Sequence, residues 1–189
     1  MQEEATRLNN LIENLLDSTR ISSEGIRPHV EWADPGDIVN AAVAKKAGLL
    51  AHRSLRISIE SDLPLVRTDP TLIEKALGHF IENAAKYSAP DSPIEVTASL
   101  SNEAVKLAVS DNGVGLTREE RPLIWERFYR GRRHRSTTTG SGLGLWITRS
   151  LVEACGGQAN AQSAGINRGT TMSIALPIAS NRPARDFPD

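Results

Sequence analysis

Three short segments of this chain carry the side chains that could do chemistry, and their order says more than any one of them. His79-Phe80-Ile81-Glu82-Asn83-Ala84-Ala85-Lys86-Tyr87 closes an amphipathic run, Asp111-Asn112-Gly113-Val114-Gly115 follows an apolar alternation, and Gly140-Ser141-Gly142-Leu143-Gly144-Leu145 opens a helical pattern. Asp111 comes after Val105, Leu107 and Val109, so its carboxylate belongs at a strand end, where it can accept a hydrogen bond from an exocyclic amine such as that of adenine. Gly113 and Gly115 let backbone approach a ligand closely. The second glycine run precedes Leu145, Ile147, Leu151 and Val152 at helical spacing, which predicts backbone N–H groups facing phosphate near a helix N-terminus. Asn83 offers the kind of oxygen that Mg²⁺ takes when water and substrate phosphates complete its shell. Together the segments describe a nucleotide pocket.

The elements that must position these residues are legible in the apolar spacing. Residues 2–20 place Leu8, Leu11, Ile12, Leu15 and Leu16 on one stripe, which predicts a helix needing a partner. Ser22 to Pro35, with Gly25, Pro28 and Pro35, reads as a linker. Asp37 is expected to cap an alanine-rich helix to about His52, followed by a strand through Leu55, Ile57 and Ile59 and an extended piece near Leu65-Val66-Arg67. Asp69-Pro70 is a capped helix start, and Leu72, Ile73, Ala76, Leu77, Phe80, Ile81 and Ala84 form its apolar stripe. His79, Asn83 and Lys86 recur at four and three and so share a face.

Ile94 to Leu100 and Val105 to Val109 alternate around Ser101-Asn102-Glu103, which predicts a hairpin. Thr117 to Gly140 is charged and aperiodic, and is expected to be a mobile loop that closes over phosphates. A helix from Leu143 to Ala154, two more strands and a polar tail complete the chain. The fold class predicted is α/β: a two-layer sandwich of one mixed β-sheet packed on one face by helices, with a detached N-terminal helix.

The 189 residues suffice for one compact domain and an appendage. A net charge of −1 gives no global pull toward nucleic acid. Cys155 is the single cysteine, so no intrachain disulfide can form, and no stretch of 18 apolar residues reads as a membrane span. A Walker-type Gly-Lys-Ser/Thr is absent, and Thr137-Thr138-Thr139 is not the strand that a dinucleotide-binding loop wants before its glycines. His29, His52 and His134 show no zinc-ligand spacing. Arg127, Arg130, Arg132, Arg133 and Arg135 form one basic cluster. A triphosphate is the obvious anion for Arg130, and the other four read as mostly solvated. Trp125, Phe128 and Leu116 read as core, and Glu82 as a surface charge.

In order and spacing the segments resemble the N, G1 and G2 boxes of the ATP-binding domain of sensor histidine kinases, a fold shared with gyrase, Hsp90 and MutL. Ile124 to Arg130 looks like the F box, and Gly169-Thr170-Thr171 like the last glycine box. Leu15 to Arg20, Gly25-Ile26-Arg27-Pro28 and Glu31-Trp32 resemble the stretch leaving the dimerisation helices in Kdp-type, potassium-responsive sensor kinases. The resemblance implies ATP and Mg²⁺, with His79 and Asn83 catalytic, Asn83 on the metal, and Lys86, Tyr87, Asp111, Gly113, Gly115, Arg130, Gly142, Leu143, Gly144 and Thr170 around the nucleotide. It divides the chain into a second dimerisation helix at 1–21, a linker at 22–35, the ATP-binding domain at 36–179 and a tail at 180–189.

His79 stands where many such kinases carry Asn and the gyrase branch carries a hydrolytic Glu, so no carboxylate occupies that base position and phosphoryl transfer is favoured over hydrolysis. None of the four histidines lies in a phosphoacceptor box, so the expected partners are a dimerisation domain outside this chain, in a homodimer, and a response regulator. Nucleic acid is not among them. Any membrane contact would come through other segments of a membrane-bound sensor whose cytoplasmic part this is. The rivals are a hydrolysing ATPase of the gyrase branch and a nucleotide-binding module that never transfers phosphate.

Overall fold

A computed structural model describes residues 12, 15–16, 18–19, 21–23, 25–131 and 140–178. Seven strands and five helices follow in the order β1 (Glu31–Ala33), α1 (Pro35–Lys45), α2 (Ala47–Leu50), β2 (Leu55–Ile59), β3 (Val66–Thr68), α3 (Pro70–Tyr87), β4 (Ile94–Ser101), β5 (Ala104–Asp111), α4 (Glu120–Leu123), α5 (Gly144–Ala154), β6 (Gln158–Gln162) and β7 (Thr170–Pro177). Before them, the described positions between 12 and 23 are helical.

The main sheet runs β2-β4-β5-β7-β6, with β2 and β4 parallel and the other pairs antiparallel, so it is mixed as expected. A two-stranded ribbon pairs β1 with β3. The stretch 22–35 read as a linker thus holds a strand, because Glu31 to Ala33 pair with Val66 to Thr68. The cap of α1 is also displaced. Asp34, not Asp37, accepts from the Gly36 N–H at 2.7 Å, with Pro35 at the first helical position.

The central helix α3 starts where the sequence says. Asp69 Oδ1 accepts from the Leu72 N–H at 3.1 Å, and its Oδ2 accepts from the His29 N–H at 2.8 Å, so one carboxylate both caps α3 and holds the incoming chain. Ile73, Ala76, Leu77, Phe80 and Ile81 are fully buried against Ile94, Val96, Val105 and Leu107 of the sheet. Each large side chain of that stripe contributes on the order of 1.5–3 kcal/mol by leaving water. The opposite face of α3 is what remains to carry His79, Asn83 and Lys86.

The β4–β5 hairpin turns through Asn102 at φ 54°, and its register sets Asp111 opposite both Ile94 and Thr170. Asp111 therefore ends a central strand, as the alternation before it predicts.

Three expectations change. Phe128 is exposed, with φ at 61°, whereas Trp125 is buried and meets Phe80 edge-on at 6.4 Å. The segment 117–131 is anchored rather than loose: Ile124 and Trp125 join the core, and the Phe128 N–H donates to the Gly142 carbonyl at 3.0 Å. Positions 132–139, the rest of the expected loop, lie outside the described residues. Nor is the N-terminal helix detached: Ile21 and Ile26 pack on Leu143, Ile147 and Leu151.

Candidate nucleotide site

Four stretches of chain are brought to the C-terminal end of α3. The Val114 N–H donates to the Tyr87 carbonyl at 3.1 Å, which docks the Asp111 to Gly115 segment on the last turn of the helix. A side chain at Gly113 would lie 2.1 Å from that same carbonyl oxygen, so the approach requires glycine. On its other side the segment is held by the β6–β7 connection. The Gly169 N–H donates to the Gly113 carbonyl at 3.1 Å, and Asn167 donates to the Val114 carbonyl at 2.8 Å. Ser163 Oγ accepts from the Leu116 N–H at 3.0 Å and donates to the Gly169 carbonyl at 2.6 Å, tying the glycine boxes together. No motif singles out Ser163, because its role comes from a contact 47 residues away.

Asp111 Oδ1 accepts from the Gly113 N–H at 2.7 Å, and the Thr170 N–H also donates to the carboxylate. Burial nevertheless pushes its carboxyl above the usual range, the two backbone donors only partly offsetting the loss of water. Such a carboxylate gains from a further donor. Thr170 thus touches the site through its backbone, by orienting Asp111.

The Lys86 ammonium lies 5.0 Å over the Tyr87 ring and against Gly140, where an added Cβ would be 2.7 Å from Nζ. Burial and the nearby Arg130 guanidinium hold the Lys86 pKa below its ordinary value, with Glu82 acting in the opposite direction. Lys86 beside Gly140, with the Arg130 guanidinium near it, puts positive charge by the glycine run that opens α5. Glu82 itself pairs with Lys46 at 2.6 Å, so it is a partnered surface charge. Gly142 accepts from Phe128, Leu143 is buried, and Gly144 begins α5 with open space at its Cα.

Asn83 is half-buried on the face between His79 and Lys86. His79 points to α5: its Nδ1 lies 3.0 Å from the buried Thr148 Oγ1. Among the described residues no group of three or more His, Cys, Asp or Glu side chains could hold a metal ion.

The basic cluster does not behave as a solvated face throughout. The Arg127 guanidinium stacks 3.9 Å from the Trp146 ring centroid, donates to Ser18 Oγ at 3.1 Å and also reaches Ser22 Oγ. It therefore bridges the N-terminal helix to α5, a role hidden in the sequence because Ser18 and Ser22 are more than 100 residues away.

The profile described as histidine kinase-, DNA gyrase B- and HSP90-like ATPase matches residues 68–180. The chain is 33% identical over 181 residues to the sensor protein KdpD of Escherichia coli K12, covering 94% of this chain and 20% of that protein. It is 30% identical to the signal transduction histidine-protein kinase AfsQ2 of Streptomyces coelicolor, covering 96% of this chain and 32% of that one. Among solved structures, the mycobacterial sensor histidine kinase MprB superposes with a TM-score of 0.68 at 26% identity, over 78% of this chain and 97% of that one. Full-length ShkA, solved in complex with AMPPNP, shares the fold with a TM-score of 0.81 at 22% identity, over 96% of this chain and 38% of ShkA. The α/β sandwich and its glycine-bounded site define an ATP-binding domain of this class. The chain belongs to the family of histidine kinase-, DNA gyrase B- and HSP90-like ATPases. It spans about a fifth of the length of the first KdpD relatives it matches. No helix among the described residues is long and apolar enough to cross a membrane.

Proposed function

We propose that this chain is the ATP-binding catalytic part of a sensor histidine kinase of Kdp type, which passes the ATP γ-phosphate to a histidine on a dimerisation domain, for relay to a response regulator. The observation that carries the reading is the charge set around the glycines: a half-buried carboxylate at Asp111 that accepts two backbone N–H groups, and the Lys86 ammonium beside Gly140 with the Arg130 guanidinium near it. An adenine amine satisfies the first and a triphosphate the second.

In this reading Asp111 accepts the adenine amine, and Thr170 keeps the carboxylate turned toward it. Gly113 and Gly115 bring backbone alongside the base, and the Tyr87 ring lines it. Lys86 and Arg130 bind phosphate, while the Gly142-Leu143-Gly144 backbone opens α5 toward it. Asn83 is the residue that would hold Mg²⁺, which when bound neutralises phosphate charge. His79 lies one turn before Asn83 on the same face of α3. The boundaries follow: 1–21 the second dimerisation helix, 22–35 a linker that includes β1, 36–179 the catalytic domain and 180–189 a tail. On this reading the chain is the cytoplasmic part of a membrane-bound homodimeric sensor, which the relatives' names as sensor proteins support. Hydrolysis is the weaker reading, because Glu82 is occupied by Lys46 and the base position holds His79.

Incubation with Mg²⁺ and γ-labelled ATP is expected to label a separate fragment bearing a His-Glu-x-x-Thr/Asn-Pro box, and not this chain. Label on this chain alone would contradict the assignment of the acceptor to another segment. A non-hydrolysable ATP analogue is expected to slow tryptic cleavage between residues 130 and 135, since a triphosphate gives Arg130 a charge-assisted partner. Equal cutting with and without the analogue would remove Arg130 from the phosphate site.

A further inference from the structure

His79 is the unusual residue of the site, and the structure supplies it with a partner on another helix. Its Nδ1 lies 3.0 Å from Thr148 Oγ1. That hydroxyl is fully buried and donates its one proton to the Gly144 carbonyl at 2.9 Å. A hydroxyl has a single proton, so with that proton committed to Gly144 it can only accept from the imidazole. In that arrangement the hydroxyl accepts from an Nδ1 proton, which favours the Nδ1-protonated tautomer of the neutral ring. Gly144 is the last glycine of the run and the first residue of α5, so the chain Gly144–Thr148–His79 joins the start of that helix to the face of α3 that carries Asn83.

We propose that Thr148 is a positioning residue for phosphoryl transfer, holding His79 in the Nδ1-protonated tautomer and in register with the first turn of α5. The proposal rests on the kinase reading given above. A hydroxyl serves where an apolar side chain of equal volume would fill the core as well: Ile147, Leu151 and Val152 on the same helix are all aliphatic and buried. At Thr148 the polar atom is used twice, once along its own helix and once across to α3. The device makes the ring's orientation depend on α5 being in place.

The test is a pair of isosteric changes read in two ways. In the chain with histidines labelled with ¹⁵N, the His79 resonances are expected to show a protonated Nδ1. Thr148→Val should shift them toward the Nε2-protonated form, and Thr148→Ser should restore the wild-type pattern. In transfer of label from Mg·ATP to the acceptor fragment, Thr148→Val is expected to slow the rate roughly tenfold to a hundredfold, the usual effect of losing a partner that orients a site residue. Its ATP affinity should stay within about twofold, and Thr148→Ser should recover the rate. A merely structural threonine would leave the tautomer unmoved. An unchanged tautomer, or an unchanged rate in Thr148→Val or in His79→Gln beside an active wild type, would overturn the proposal alone. No transfer by the wild-type chain would overturn the kinase reading, and the proposal with it.

Discussion

Replacing Asp111 by Asn is expected to weaken ATP binding by roughly tenfold to a hundredfold, the cost of about 1–3 kcal/mol for leaving a buried polar group facing a like partner. The substitution keeps shape and volume but sets an amide NH₂ or an off-angle carbonyl against the adenine amine. It also weakens the acceptor for the Gly113 and Thr170 N–H groups, which both donate to the carboxylate. Titration calorimetry reads the loss directly, and GTP in place of ATP supplies the contrast, because guanine presents an oxygen where adenine presents the amine. The wild type adds a pH signature. Burial raises the Asp111 carboxyl, and an amine donor favours its ionised form, so affinity should fall as pH drops through that raised value. Asn at this position should remove the pH dependence. Unchanged ATP affinity in Asp111→Asn would end the assignment of adenine to this carboxylate.

The second large effect is on stability, at Gly115. This residue has φ at 64°, and an added Cβ would lie 1.9 Å from the Gly165 carbonyl oxygen. Gly115→Ala thus combines a left-handed backbone with a collision against main chain, and is expected to cost about 2–5 kcal/mol. Urea denaturation followed by circular dichroism checks it. Gly144→Ala is the matched control: nothing lies within 4 Å of an added Cβ and its φ is not positive, so the same change should leave stability unchanged or raise it by up to about 1 kcal/mol. A Gly115→Ala variant as stable as that control would show that the contact between the G1 box and the β6–β7 connection is not what holds the site.

The parts of this site that the sequence discloses are those written in local grammar. A cap followed by proline at Asp69-Pro70, a strand alternation ending at Asp111 and a glycine run before Leu145 each depend on neighbours within a few residues, so periodicity and turn chemistry suffice to read them. What escapes is contact between distant segments. The pairing of Glu31 to Ala33 with Val66 to Thr68 turns a proline- and glycine-marked linker into a strand, because β structure draws on a partner that spacing does not reveal. Arg127 reads as one solvated arginine among five until Trp146 and Ser18 are seen beside it. Phe128 reads as core by residue type. Its positive φ, together with the bond from its N–H to Gly142, turns the ring outward instead. The aperiodic stretch after Thr117 is held by two large side chains, Ile124 and Trp125, which are too few to register as a pattern yet enough to anchor a turn. His79 shows the same limit within the site. The face it occupies follows from its spacing to Asn83, but the hydroxyl that orients it comes from a helix 69 residues further on.

The central claim is that the γ-phosphate leaves ATP for a histidine and not for water. The most direct measurement is a single turnover in which the chain, in excess over γ-labelled Mg·ATP, is mixed with a dimerisation fragment carrying the phosphoacceptor box, and the label is partitioned between acid-labile phosphoprotein and free phosphate. The account predicts that most of the label appears first on the fragment as acid-labile, base-stable phosphohistidine, with little free phosphate when the fragment is omitted. Free phosphate released at the same rate with and without the fragment, and no label on the fragment, would contradict it.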